Sequence, residues 1–123
     1  MTVNRTDRDI SKTVTISNAT SLSGAVSVGH MAIAGVIVPS AWTAAAITFQ
    51  AVLADGTTYG NVFDETAEVS IASGSVAANN VVMLSQAARE KLRGLNSVKL
   101  RSGTSGTPVN QGADRTIRLI LES

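Results

Sequence analysis

Short stretches of alternating apolar and polar residues recur along the chain, and each of them ends at a turn signal. In residues 12–18, Val14 and Ile16 occupy one face of the repeat, while hydroxyl-bearing residues occupy the other. Because successive side chains of a β-strand point to opposite faces, a period of two predicts a half-buried strand here. The same criterion predicts further strands in the following stretches: residues 29–38, 46–54, 57–63, 68–72, 81–84, 97–101 and 115–121.

Two of these stretches differ in the burial that they predict. Residues 29–38 are apolar almost throughout, which predicts a strand in the middle of a sheet with His30 inside it. Residues 46–54 alternate, which predicts one buried face and places Thr48 on the polar face. The buried face is expected to carry Ile47, Phe49, Ala51 and Leu53.

Local signals also predict one hairpin and one helix. Asp55-Gly56 separates two of the strands, and these residue types tolerate the positive φ of a tight hairpin turn. Ser85 suits the N-cap of a short helix over residues 86–93, which Gly94 would end. About eight short strands, one short helix and no alternation of strands with helices predict an all-β protein, an antiparallel β-sandwich or jelly roll.

The length and polarity of the chain predict one domain with an N-terminal arm. A chain of 123 residues is long enough for a single hydrophobic core without a disulfide or metal. Residues 1–12 are polar and lack apolar periodicity, so they are expected to form an arm, and residues 13–123 a single domain. They also lack the apolar core of a secretion signal.

Composition excludes several classes of function. Cysteine is absent, which removes disulfides, thiolate metal sites and cysteine nucleophiles. No window approaches the ~18 consecutive apolar residues of a membrane helix, so no membrane partner is expected. Charged residues make up only 15% of the chain, which indicates a surface of Ser, Thr, Asn and Ala or a surface covered by neighbours.

The residues that could support catalysis or ion binding have simpler interpretations. His30 is the sole histidine, and no nucleophile-elbow pattern accompanies it, so a structural or interface role is expected. Asp64, Glu65 and Glu68 could supply an acid/base pair or, with Asp55, calcium ligands, but a solvated loop explains them equally well. We therefore expect neither an enzyme nor a bound metal or cofactor.

Two further features have weak functional interpretations. Residues 102–108 are rich in Gly, Ser and Thr, but they lack the ending of a phosphate-binding loop and are better explained as a long connection between strands. Trp42 could stack on a sugar at a loop tip, although a role as an anchor at the rim of the core is favoured.

Charge is segregated along the chain. Lys and Arg occur only in residues 5–12 and 89–118, whereas the charged residues between these ranges are all acidic. The second range contains a candidate basic patch made of Arg89, Lys91, Arg93, Lys99 and Arg101. No aromatic residue interleaves with it to stack on bases, so docking between protein subunits is favoured over nucleic-acid binding.

The sequence resembles a family of small all-β structural proteins of tailed bacteriophages and related gene-transfer particles. The resemblance covers most of the chain after residue 12 and rests on residues 21–26, 38–64 and 95–121. Its shared elements are Pro-x-x-Trp before a strand, a Thr-Phe-Gln strand, the Asp-Gly hairpin, and a Leu-Arg-Ser-Gly loop followed by Gln and Asp-Arg. These are features of a scaffold and do not indicate a mechanism.

The resemblance implies a jelly roll that acts on a virion. The implied function is capsid decoration, in which a homotrimer binds the major capsid protein at the capsid surface after assembly in the host cytoplasm. The alternative is a glycan-binding or attachment module of a tail or head spike. Partner contacts are expected from the arm and from the helix region, through Arg5, Arg8, Lys12, Arg89, Lys91 and Arg93.

Overall fold

The structure is a computed structural model that describes residues 11–123. Within this range it contains nine β-strands and one α-helix. The strands are β1 (Ser11–Ile16), β2 (Val26–Ser27), β3 (Ala32–Ile37), β4 (Ile47–Val52), β5 (Tyr59–Asn61), β6 (Ser70–Ile71), β7 (Val81–Met83), β8 (Ser97–Ser102) and β9 (Arg115–Glu122). The helix α1 (Gln86–Lys91) lies between β7 and β8. None of the helical structure in the described range is long and apolar enough to cross a membrane.

The strands form two antiparallel sheets in jelly-roll order. The first sheet has the order β1-β9-β3-β7, and the second has the order β2-β8-β4-β5, with β6 also paired to β4. The chain changes sheet at every connection except those from β4 through β5 to β6. Because β5 and β6 pair with successive parts of β4, together they act as one broken strand, and the eight-stranded jelly roll is confirmed.

The core lies between the sheets and is built by the predicted alternation. Val14 and Ile16 of β1 are buried, as is Phe49 of β4, which is fully buried. Each such side chain contributes about 1.5–3 kcal/mol by leaving water. The other fully buried large apolar side chains are Ile33, Val36, Val38, Ile47, Leu92, Val98, Leu100, Ile117 and Leu119.

Strand β3 is central, as its apolar sequence predicts. It is flanked by β9 and β7, and its first five residues are buried. The prediction that His30 lies inside this strand was wrong, because β3 begins only at Ala32. His30 is exposed in a turn where Gly29 adopts a φ of 59°.

The predicted hairpin and helix are both present. Strands β4 and β5 pair across the turn at Asp55-Gly56, where Gly56 has a φ of 79°. The Ser85 side chain accepts a hydrogen bond from the Ala88 N–H at 3.2 Å, which caps α1. Gly94 follows the helix with a φ of 88°.

Other details of the strand prediction need correction. Strand β2 was missed, because two residues are too short to show an alternating pattern. Leu53 is 50% exposed rather than buried, since it lies past the end of β4. Thr48 is completely buried although it lies on the polar face, because Arg101 covers it from β8. Lys12, which the sequence pattern placed at the junction of the arm and the first strand, is the second residue of β1 and is exposed.

Candidate functional site

Three connections between strands are bonded together at one end of the sandwich. They are residues 17–25, 38–46 and 103–114, and we call them the loop end. The Ala19 N–H donates to the Gln111 carbonyl at 2.8 Å, and the Gly103 N–H donates to the Ala46 carbonyl at 2.7 Å. The loop end is therefore held by backbone hydrogen bonds between all three connections.

Gln111 is the central residue of the loop end. Its side chain is almost completely buried, at 1% exposed. Its Oε1 accepts from the Thr43 N–H at 2.9 Å, and its Nε2 donates to the Thr43 carbonyl at 3.0 Å. The amide thus pairs with the backbone of Thr43 as a neighbouring strand would.

Asp114 and Arg115 extend this arrangement. Arg115 Nε donates to Gln111 Oε1 at 3.1 Å, and the Asp114 carboxylate accepts from the Asn18 N–H at 2.7 Å. Arg115 Nη2 also lies 3.5 Å from Thr43 Oγ1, so the Asp-Arg pair holds the start of β9 against the other two connections.

A second polar cluster lies on the outer face of the second sheet, and we call it the Arg101 cluster. Arg101 forms an ion pair with Glu68 at 3.2 Å, and their side chains are only 8% and 11% exposed. Arg101 Nη2 donates to Asn61 Oδ1 at 2.6 Å, and Nη1 donates to Thr48 Oγ1 at 3.4 Å. The guanidinium is thus surrounded by acceptors from β4, β5 and the segment before β6.

Glu68 links this cluster to the loop end. Its second carboxylate oxygen accepts from the Ser105 N–H at 2.9 Å, inside the connection from β8 to β9. In the described part of the chain, no buried side-chain nitrogen or oxygen lacks a hydrogen-bond partner. Because the polar groups are satisfied internally, the loops of this region are held in fixed positions.

Asp64, which precedes Glu68 in the acidic stretch of the sequence, also has partners within the chain. Asp64 Oδ1 accepts from the N–H groups of Thr66 and Ala67, and Oδ2 lies 2.9 Å from the Lys91 ammonium. The Lys91 ammonium is the largest cause that lowers the pKa of Asp64, and the same contact raises the pKa of Lys91. A general acid needs a raised pKa, so the environment of Asp64 favours the opposite ionisation state.

Asp55 stabilises its own turn. It accepts from the N–H groups of Thr57 and Thr58 and from the Thr58 hydroxyl, which together lower its pKa to about 2. Across residues 11–123, no group of three or more His, Asp and Glu side chains is arranged to hold a metal ion. The acidic residues considered as calcium ligands are therefore not brought together in a single group.

The structure disperses the candidate basic patch. Arg101 is buried in its ion pair, Lys91 pairs with Asp64, and Arg89 Nε lies 3.5 Å from Glu122. Lys99 lies over the Tyr59 ring, 4.6 Å from its centroid. Much of the charge segregation seen in the sequence is thus neutralised by ion pairs within one chain.

The other predicted contact residues have different positions. Arg93 is exposed just after α1, and no ion pair involves it among the residues that the structure describes. Lys12 is exposed at the start of β1, the edge strand opposite β7 in the first sheet. Arg5 and Arg8 lie outside the described residues.

Trp42 and the Gly-rich segment have structural roles. The Trp42 ring packs against the core, and its Nε1 donates to the Ala45 carbonyl at 3.4 Å, as expected for an anchor at the rim. The Gly-rich segment connects β8 to β9 and folds back on itself, with a bridge between Gly103 and Pro108. Trp42 is thus tied to the rim of the core, and the Gly-rich segment is a connection between strands.

Sequence reasoning did not identify Gln111 or Asn61 as important residues. Gln111 is followed by Gly and preceded by Asn, a composition that resembles an ordinary loop. Their importance comes from partners that lie far away in the sequence, Thr43 for Gln111 and Arg101 for Asn61. The one signal that could have identified Gln111 is the Gln that follows the Leu-Arg-Ser-Gly loop in the motifs that resemble the phage family.

Comparison with known proteins gives one limited structural similarity. No protein-family model matches the chain, and no curated protein matches its sequence. The crystal structure of the SPBc2 prophage-derived protein YomS is similar, with a TM-score of 0.48 and 20% sequence identity. The alignment covers 91% of this chain and 93% of that chain.

Proposed function

We propose that this protein is a structural subunit of a bacteriophage or related gene-transfer particle, where it decorates the capsid by binding the major capsid protein. The sequence motifs that resemble the phage family support the identity of the particle. The observation that carries the structural role is that the polar residues of these motifs form internal hydrogen bonds, which hold the loop end together through Gln111 and Arg115 and hold the Arg101 cluster together through Arg101.

A fixed loop end suits a protein that acts through its shape. Thr43, Gln111 and Arg115 bond to each other, and Arg101 bonds to Glu68 and Asn61. Because these groups are already ordered in the free chain, little conformational entropy is lost when the surface meets a partner. A capsid lattice presents the same binding site many times, so one preformed surface fits every copy of that site.

Charges left over after internal pairing are proposed to contact the capsid. Arg93 and Lys12 are exposed, and Arg5 and Arg8 precede β1 in the sequence. Arg89 and Lys91, in contrast, are already paired with Glu122 and Asp64. Exposed charges of this kind change the rate and salt dependence of association more than its strength.

The location of the protein in a purified particle tests the proposal directly. A copy carrying a gold-binding tag at Ser123, the exposed last residue, should mark the head surface in electron micrographs. Label confined to the tail tip or to a spike would support the attachment alternative and contradict capsid decoration. Absence of label from all particles would contradict a virion role altogether.

Binding to empty heads tests the proposed contact residues. Deletion of residues 1–10 leaves β1 intact, and we expect lower occupancy on heads that lack this protein. Arg93→Gln should weaken binding most at low salt, because a screened charge contributes less at high salt. Lys99→Gln is the matched control, since Lys99 already lies over Tyr59. Unchanged occupancy for both the deletion and Arg93→Gln would remove these residues from the interface.

A further inference from the structure

Strand β7 forms an edge of the first sheet and presents unpaired backbone groups. Among the described residues it pairs with β3 alone. The Val38 N–H donates to the Asn80 carbonyl, and the Leu84 N–H donates to the Ala34 carbonyl. Since backbone groups alternate in direction along a strand, those of Val81 and Met83 point away from β3.

The same two residues expose large apolar side chains. Val81 is 58% exposed and Met83 is 56% exposed, on the outer face of the sheet. Their cross-strand neighbours on this face are Ile37 and Gly35 of β3, and Ile37 is itself only partly buried. The edge therefore combines free hydrogen-bonding groups with an apolar surface.

This edge also lacks the charges that normally protect exposed strands. Residues 69–88 contain no Asp, Glu, Lys or Arg, and no Pro. Natural proteins place charged residues or Pro on exposed edges because an unprotected edge pairs with other strands. Although β7 is only three residues long, an edge that lacks charge and Pro and exposes apolar side chains is open to pairing with a further strand.

We propose that β7 pairs with β7 of a second copy of this chain, antiparallel about a two-fold axis that passes by Val82. In this register Val81 lies opposite Met83 of the second copy, and Met83 lies opposite its Val81. The backbone groups that point outward on one strand then meet those of the other, and each pair exchanges both of its hydrogen bonds. The two four-stranded sheets join into one continuous sheet.

The absence of charged residues around β7 in the sequence favours a second copy of this chain as the partner. In a two-fold dimer, a charged residue that lies close to the axis faces its own copy, so a charge on β7 would repel its equivalent in the second copy. The uncharged stretch of residues 69–88 removes this repulsion on both sides of the axis at once. The four exposed side chains, Val81 and Met83 from each copy, cover one another on the same face.

The proposal is independent of the phage role, and it differs from the trimer that the family resemblance implies. A three-fold trimer contains no two-fold axis, so the contacts between its subunits would differ from the β7–β7 pairing proposed here. Because the contact is small, weak association is expected in solution and stronger association where a lattice raises the local concentration.

Sedimentation equilibrium with the full chain tests this pairing. Measurements from about 10 μM to about 1 mM cover the dissociation constants typical of small contacts. We expect a monomer–dimer equilibrium for the natural sequence. The double variant V81K/M83K places lysines opposite each other in both pairs and should weaken dimerisation at least about tenfold.

A charge-swapped variant tests the register. In V81K/M83E each lysine lies opposite a glutamate of the second copy, so dimerisation should return toward that of the natural sequence. L53K/F63K adds two lysines at other exposed apolar sites and should leave dimerisation unchanged. Circular dichroism and thermal unfolding verify that each variant is folded.

Several outcomes would overturn the proposal. They are a natural sequence that is monomeric or trimeric throughout the range, a V81K/M83K variant that dimerises normally, and a folded V81K/M83E variant that stays as weakly associated as V81K/M83K.

Discussion

At the scale of single residues, three polar side chains that lie outside the apolar core are bonded within the chain rather than to water. Arg101, Glu68 and Gln111 are largely withdrawn from water, and each has more than one partner within the chain. A buried polar group that loses its partner costs more than the hydrogen bond is worth, because it cannot return to water. These residues should therefore be sensitive to substitution even though they lie outside the apolar core.

Replacement of Arg101 is predicted to be costly. Arg101→Ala leaves Glu68 and Asn61 without their main partner, and breaking a buried pair in this way costs about 3–5 kcal/mol. Lys99→Ala, two residues earlier on the same face, should cost less than about 1 kcal/mol. Urea unfolding followed by circular dichroism measures both values, and equal losses would contradict the structural importance of the ion pair.

Gln111 provides a second test at this scale. Gln111→Leu keeps a similar volume but leaves the N–H and carbonyl of Thr43 unpaired, with an expected loss of about 2–4 kcal/mol. Gln50→Leu is the control, because Gln50 makes one hydrogen bond at an exposed site. Hydrogen exchange at Thr43 should accelerate in the first variant only. Protection of Thr43 that survives Gln111→Leu would show that the amide does not hold this connection.

At the scale of elements, the connection from β8 to β9 depends on one backbone conformation. Gly103 has a φ of 90°, in the left-handed region, and a Cβ there would lie 2.5 Å from the Thr107 carbonyl oxygen. The close approach comes from the bridge between Gly103 and Pro108, which closes the loop. A glycine is therefore required by both the dihedral angle and the space.

Substitution of two glycines in this loop separates these effects. Gly103→Ala should destabilise the protein by about 2–4 kcal/mol, because the backbone must shift to remove the contact. Gly106→Ala, in the same loop, has open space around the new methyl group and should change stability by less than about 1 kcal/mol. Thermal unfolding compares the two variants. A similar effect of both would indicate that the loop adapts freely.

At the scale of the whole molecule, two ionised carboxylates, Asp55 and Asp64, hold parts of the chain in place. Asp64 connects the segment between β5 and β6 to α1 through Lys91, and Asp55 holds the turn between β4 and β5. Both contacts require an ionised carboxylate, and both pKa values are lowered in the folded chain. The folded state is thus favoured by ionisation of both carboxylates.

Stability is therefore predicted to fall in acid. A group whose pKa is lowered on folding stabilises the fold above its unfolded pKa, and this stabilisation is lost as pH falls through the folded value. For Asp55 this window runs from 3.8 down to about 2, and Asp64 extends the loss further. Urea unfolding between pH 7 and pH 2 should show a decline below about pH 4. The D55N/D64N variant should show a shallower decline, and an unchanged slope would contradict the assignment.

The sequence alone determined the elements and the class of the fold. Alternation within β1, the apolar run of β3, the Asp55-Gly56 turn and the Ser85 cap are local signals, because a few neighbouring residues decide backbone geometry and which face is buried. The all-β sandwich follows from adding these elements together. The two-residue strand β2 and the position of His30 escaped prediction because the ends of elements carry little local signal.

Only the tertiary structure decided the strand order and which polar residues meet. Lys91 pairs with Asp64, Arg101 with Glu68, and Gln111 with Thr43, and each pair is separated by more than twenty residues of sequence. Basic and acidic residues that are far apart in the sequence therefore pair in the folded chain, and the predicted basic patch is not continuous. Side-chain contacts across a sandwich depend on register between distant strands, and a periodic pattern fixes the faces of a strand without fixing its neighbours.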